Sequence, residues 1–286
     1  MTRWMHSVIE NRSPMDPIET GWEAKLEPLK TVKAVIFDIY GTLLISGTGD
    51  VGSADVSTKE HLIRDAVEAA GIRTDEQNVP TTAQLHDAIR DQNGRCLSAD
   101  RPKPEVDIVA IWRSVLHQNG LLASTRQTNQ LAAEYESRMN ATWPMPGAAS
   151  LLSGLAECGL KLGIVSNAQQ FTIPLIEELG GNFGVDSLFD PNLCVFSYRY
   201  RQAKPAARLF DVLCVGLDRL GISPSDALYV GNDRLNDVWA ASRAGLRTAW
   251  FAGDKRSLRA RDDDERLQGL PHDLILTRLD QLATCF

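Results

Sequence analysis

The feature that most constrains this chain is an alternation. Short apolar runs rich in β-branched residues are followed by helical segments, and each run stops at a polar residue. The first run is TVKAVIF, residues 31–37. It is apolar almost throughout, as a buried parallel strand reads, and it stops at Asp38. The pattern resumes after Gly147. Helix AASLLSGLAEC, closed by Gly159, precedes strand LKLGIVS. Helix TIPLIEEL leads to strand LCVFS, and Pro205 is placed to open the long helix ARLFDVLCVGLDRL. Strand ALYVG, helix DVWAASRA closed by Gly245, and strands TAWFA and DLILT complete the series. Such alternation predicts an α/β fold, a Rossmann-like doubly wound parallel sheet with helices on both faces.

From about Val56 to Asn140 the period changes. HLIRDAVEAA, AQLHDAIRDQ, VDIVAIWRSVLHQ and TNQLAAEYESRMN carry helical apolar spacing, punctuated by Gly71, Pro80, Gly94, Pro102 and Pro104. The sequence therefore divides into an N-terminal extension (1–30), an α/β core (31–46 and 146–286) and an all-helical insert (47–145). Trp4 and Trp22 are candidates for docking the extension on the body. The run RARDDDER, residues 259–266, reads as a solvated mixed-charge face.

Composition narrows the function. A chain of 286 residues with 43% hydrophobic residues fills a sizeable core. Thirty Lys and Arg against 37 Asp and Glu leave a net charge of −7, the wrong sign for a nucleic-acid backbone binder. The five cysteines are scattered, never two residues apart, which argues against a zinc ribbon or a disulfide framework and suits a reducing cytoplasm. No apolar run reaches bilayer-spanning length and the N-terminus lacks the apolar stretch of a secretory signal, so neither a membrane nor export is expected.

Ligands of open α/β sheets bind beyond the carboxyl ends of the strands. Those ends present Asp38, Ser166 with Asn167, Lys204 just after LCVFS, and Asn232, Asp233 and Asp237 after ALYVG. Each alone has an ordinary reading: a turn cap, a turn, a solvated lysine, first-turn helix acids. Together they offer carboxylates, one cation and a hydroxyl. An aspartate is ionised at neutral pH and needs no base to act as a nucleophile.

DIYGTL at 38–43, VSN at 165–167, Lys204-Pro205 and VGNDRLNDVWAASRAG at 230–245 occur in the order found in the haloacid dehalogenase-like hydrolase superfamily, which this sequence resembles over roughly residues 32–251. The resemblance implies that Asp38 is the nucleophile, with Lys204 and Ser166 as further catalytic residues. Tyr40, Gly41, Thr42, Ser166, Asn167 and Lys204 would bind a phosphorylated small molecule. Mg²⁺ would be held by Asp38, the Tyr40 carbonyl, Asp233, Asn232 and Asp237, although Asp237 has the alternative of orienting Lys204. The helical insert resembles the family's cap.

Two departures shape the expectation. Phosphatases of this kind carry an aspartate two residues after the nucleophile as general acid and base, and here that seat holds Tyr40, whose ordinary pKa near 10 suits neither task. DxYGT is instead similar to 2-haloacid dehalogenases, whose halide needs no proton. Yet residues 44–57 contain no arginine to hold halide, and GNDRLND resembles the metal-dependent form. The leading expectation is a Mg²⁺-dependent phosphatase working through an aspartyl-phosphate. A dehalogenase and a catalytically weak phosphate-ligand binder are the alternatives. Trp112, His117, Tyr135, Arg138 and Trp143 are candidates to face the cleft, although Trp112 and Tyr135 at helical spacing are more often core. Arg199 and Arg201 are candidates to read a substrate anion.

Overall fold

The computed structural model describes residues 9, 12–48, 60–177, 179 and 188–286. Its strands are β1 (Ala34–Phe37), β2 (Leu44–Ser46), β3 (Thr142–Pro144), β4 (Lys161–Ser166), β5 (Phe189–Phe196), β6 (Ala227–Gly231), β7 (Arg247–Phe251) and β8 (Leu274–Leu276). Six of them form one sheet in the order β5-β4-β1-β6-β7-β8, with every pairing parallel. The α/β doubly wound expectation is met. β1 lies between β4 and β6, with Phe37 level with Ile164 on one side and Val230 on the other. The chain reverses its direction of winding at this place, so the residue after Phe37 stands at the topological switch point.

Successive side chains of β1 go to opposite faces. Ala34 and Ile36 join Leu209, Phe210, Leu213 and Leu217, whereas Val35 and Phe37 join Leu151, Leu152 and Leu155. Helices therefore cover both faces, which is why the strands read as continuous apolar runs rather than alternating ones.

Between β2 and β3 the described residues form helices α1 (Glu60–Ala69), α2 (Thr82–Cys96), α3 (Ile108–Gln118) and α4 (Thr125–Met139). Thr81 with Gln84 and Ser124 with Gln127 form capping boxes that start α2 and α4, and the Asp107 carboxylate caps α3. Their apolar stripes bury Ile63, Val67, Leu85, Trp112, Val115 and Leu131 in a core continuous with one face of the sheet. The expected helical start near Val56, like Trp4, lies outside the described residues. β2 and β3 pair antiparallel, Ile45 opposite Trp143, at the two ends of the helical insert, where no strand was expected. Three-residue strands are too short to show a period.

Pro205 does not open a helix. Lys204 and Pro205 are joined by a cis peptide bond within a turn, and the helix that follows, α5 (Arg208–Arg219), starts three residues later. The end of the N-terminal extension packs on the core: Lys25 bridges to Ile275, Leu29 donates to Cys285, and Trp22 meets Trp250 edge-on at 4.6 Å. Among the described residues no helix is long and apolar enough to cross a membrane.

A Cβ at Gly163 in β4 would stand 2.5 Å from the Leu193 Cβ and 2.7 Å from the Leu193 carbonyl oxygen. Gly163→Ala is expected to cost about 1–3 kcal/mol through overpacking. Urea unfolding measures this, and an unchanged midpoint would contradict the packing described.

Candidate active site

The parallel sheet delivers Asp38, Ser166 and Asn232 to one edge because β1, β4 and β6 end side by side. There they line a small pocket of about 40 Å³, with Tyr40, Asn167, Lys204, Asp233, Asn236, Asp237 and Arg259. At its base sits the Lys204 ammonium, 4% exposed as a residue. It donates to Asp38 Oδ1 at 2.7 Å, Asp237 Oδ1 at 2.6 Å, the Tyr229 hydroxyl at 3.0 Å and the Val165 carbonyl at 3.2 Å. Burial would lower the Lys204 pKa, but the charges of Asp237 and Asp38 outweigh it and hold the ammonium above its usual range. The Asp38 amide is itself fixed, donating to the Val230 carbonyl at 2.9 Å.

Asp237 reaches Lys204 from a single π-helical turn, Arg234–Trp239. Its second oxygen accepts from the Asp233 amide at 2.9 Å. Of the two roles weighed for it, the geometry holds it on Lys204 rather than on a cation. Burial pushes its carboxyl upward against the pull of Lys204. Gly231 makes room: a Cβ there would meet the Asp237 carboxyl carbon at 2.4 Å.

Asn167 accepts the Lys204 amide at 2.7 Å on its side-chain oxygen. The Ser166 hydroxyl stands 3.5 Å from the Asn167 carbonyl, too long for a firm bond, and lines the same pocket. Gly41 and Thr42 lie outside the pocket wall. Their amides are already bonded within the turn, to the Leu44 and Ile39 carbonyls. Gly41 has φ +81, and a Cβ there would meet Asn232 and Ser257 at 2.6 Å, so its role is to let the turn pass close beneath the site. The Tyr40 hydroxyl turns to Thr172 at 2.9 Å, and burial followed by the charge of Glu136 raises it far above the usual phenol range. That bond and the upward shift make it a poor proton donor or acceptor for a reaction at Asp38.

The acids expected to hold a cation have other partners. Both Asp233 oxygens are gripped by the Arg261 guanidinium, at 2.7 and 2.5 Å, and Oδ1 also caps the Leu235 and Asn236 amides. The Asn232 amide group donates to the Ser257 carbonyl and accepts from Thr42. Oxygen donors of this kind suit a hard cation such as Mg²⁺. Among the described residues, however, no group of three or more His, Cys, Asp or Glu is preassembled for a metal. The donor types fit Mg²⁺, and Arg261 holds the Asp233 oxygens that such an ion would need.

Arg259, Arg261 and Tyr229 were not legible as site residues. The first two sit in the mixed-charge run read as solvated; the third is an interior residue of β6 whose hydroxyl happens to reach the site. Trp112 is core and meets Tyr135 edge-on at 5.2 Å, His117 is exposed, Arg138 pairs with Glu134, and Trp143 packs under Arg12. Arg201 pairs with Asp107 at 3.0 Å, and Arg199 stacks on Phe196 and Tyr198.

The family profile described as haloacid dehalogenase-like hydrolase matches residues 32–245. The chain is 24% identical over 245 residues to a glyceraldehyde 3-phosphate phosphatase of Methanopyrus kandleri, covering 82% of this chain and 90% of that one. It is 26% identical over 230 residues to a phosphoglycolate phosphatase of Escherichia coli O157:H7, covering 77% and 81%. Its fold is similar to the crystal structure of a 2-haloacid dehalogenase from Pseudomonas syringae pv. Tomato DC3000, with TM-score 0.53, 19% identity, and 89% and 97% of the two chains covered.

Two predictions follow from the buried charges. Lys204→Met leaves Asp38 and Asp237 uncompensated and is expected to cost about 3–5 kcal/mol of folding stability. Adding Asp237→Asn should restore part of it, as read by chemical denaturation; a double variant no more stable than the single would refute the charge argument. Arg261→Ala frees the Asp233 carboxylate and is expected to tighten Mg²⁺ binding about tenfold, roughly 1.4 kcal/mol, in a calorimetric titration. Unchanged or weaker binding would show that Arg261 does not compete.

Proposed function

The chain belongs to the haloacid dehalogenase-like hydrolases, and from that premise we propose that it is a phosphatase of a small phosphorylated metabolite, working through an aspartyl-phosphate on Asp38. The observation that carries this reading is the buried Asp38–Lys204–Asp237 chain at the switch point of the sheet, on the wall of a narrow polar pocket. The named activities of the phosphatase relatives support it.

Asp38 attacks phosphorus with its carboxylate oxygen, so that the new O–P bond forms as the bond to the ester oxygen breaks. Lys204 holds the carboxylate in place and balances the growing charge of the phosphoryl oxygens. Ser166 and Asn167 offer hydrogen bonds at the pocket wall, and Arg259 adds a guanidinium to it. Water then cleaves the acyl phosphate and returns Asp38. Asp38, the Tyr40 carbonyl, Asp233 and Asn232 would hold Mg²⁺, which when bound neutralises phosphoryl oxygens and so lets an anion approach the carboxylates. The scattered placement of the five cysteines suits a reducing cytoplasmic setting.

The Tyr40 hydroxyl is locked to Thr172, so the leaving oxygen must depart without a proton from that seat. Aryl and acyl phosphates are therefore expected to be cleaved much faster than simple alkyl phosphates, with a steep dependence of kcat/KM on leaving-group pKa. Tyr40→Phe should change kcat by less than about threefold, whereas Asp38→Asn should lower it by at least about a thousandfold. Equal rates on aryl and alkyl esters would overturn the proton argument. A chelator-resistant release of halide from 2-chloropropionate, with no phosphate ester cleaved, would favour the dehalogenase reading, which Tyr40 and the Arg261 grip on Asp233 keep in view.

A further inference from the structure

A second and much larger cavity, of about 550 Å³, lies between the helical insert and the segment that follows β4. Tyr40 links the two regions: it lines the small pocket, its hydroxyl bonds Thr172, the neighbour of the cavity residue Phe171, and the charge of the cavity residue Glu136 acts on it. The Asn167–Gln169 loop likewise passes from the wall of one to the wall of the other. Leu85, Ile89, Val106, Met139 and Phe171 make most of its surface apolar.

Polar groups also line it, and two of them are carboxylates, Glu105 and Glu136. Glu105 is structural: its oxygens accept from Val106, Gln169 and Ser197 and latch the insert to the core. Glu136, on α4, accepts only from the Asn140 side chain, at 3.2 Å, and no cation pairs with it among the described residues. Burial, opposed by that one hydrogen bond, pushes its carboxyl up to about 7. The adjacent Tyr135 is 8% exposed, lines the same cavity, and has a buried hydroxyl with no partner. Asn93 contributes a buried side-chain oxygen that is also unpartnered. Of the basic residues on the wall, Arg90 is exposed and turned to Asp87 at 2.8 Å, and His86 is half-buried. Buried polar atoms without partners are rare in finished interiors and mark a place where something else supplies the bond.

We propose that this cavity receives the organic half of the substrate, and that this half is an apolar or aromatic body ending in an ammonium group, paired with Glu136 and hydrogen-bonded by Tyr135. The proposal rests on the phosphatase reading and adds the substrate class to it: a phosphate monoester of an amine-bearing alcohol or phenol. A second anion in its place would face Glu136 and Glu105 in a mostly apolar cavity. On this proposal phosphoglycolate, whose organic half ends in a carboxylate, is expected to be a poor substrate.

Three aryl phosphates test this, identical in the bond cleaved and different only at the far end: tyramine O-phosphate, 4-ethylphenyl phosphate and 3-(4-phosphonooxyphenyl)propionate. The ammonium compound is expected to exceed the neutral one in kcat/KM by about tenfold, and the neutral one to exceed the carboxylate by a similar factor. Glu136→Gln should erase the ammonium preference while leaving the neutral ester within about twofold. Tyr135→Phe should weaken the ammonium ester alone. Equal rates for all three in the wild-type protein, or a preference for the carboxylate, overturns the proposal even without the variants. Calorimetric binding of free tyramine separates the two readings. If none of the esters is cleaved yet tyramine binds and Glu136→Gln loses it, the phosphatase reading has failed and the cavity assignment stands. If esters are cleaved without selectivity and tyramine does not bind, the reverse holds.

Discussion

One buried ammonium organises this molecule's chemistry. Lys204 sits below the ends of β1, β4 and β6 and bonds groups from each of them, together with Asp237 from the turn beyond β6. A lysine so thoroughly removed from water is stable only because two carboxylates surround it, and the carboxylates tolerate burial only because of the lysine. Neither party is a free choice once the other is present. The nucleophile's position is thus fixed by charge as much as by the strand that carries it. Asp38 has its amide on β6, its carboxylate on Lys204 and its predecessor in the core.

The parts of the fold with long, regular patterns were legible in the sequence, and so were the polar residues that end the strands. ALYVG became a strand at the very residues that suggested one, and the four helical segments of the insert appeared with bounds shifted by a few residues. The failures have physical causes. β2 and β3 are too short to show a period. Pro205 carries the φ that favours a helix start, yet the turn around Lys204 uses it instead. The π-helical turn before Ala240 cannot be read from apolar spacing, because it adds one residue to a single turn. That extra residue is what brings Asp237 back over Gly231.

The site was legible only in its acids and its lysine. Tyr229 was hidden because an aromatic inside an apolar strand signals packing and nothing else. Arg259 and Arg261 were hidden by their surroundings: RARDDDER has the composition of a solvated face, and most of its residues are exposed. The two arginines turn inward because the backbone of this loop pairs with the acidic loop, Arg259 with Asn232 and Arg234 with Arg259. Pairing of backbones between distant loops leaves no trace in a local pattern. The residue that most alters the chemical reading, Arg261, was therefore the one local reasoning discounted.

The contact between Trp22 and Trp250 reaches further than the anchoring of a leader. The Trp250 indole N–H donates to the Asn232 carbonyl at 3.0 Å, so the segment around Trp22 leans on a ring that in turn braces the acid-bearing loop. The beginning of the polypeptide is thereby a buttress for the reaction centre, and sequence drift in a region remote from the chemistry has a direct mechanical route to it.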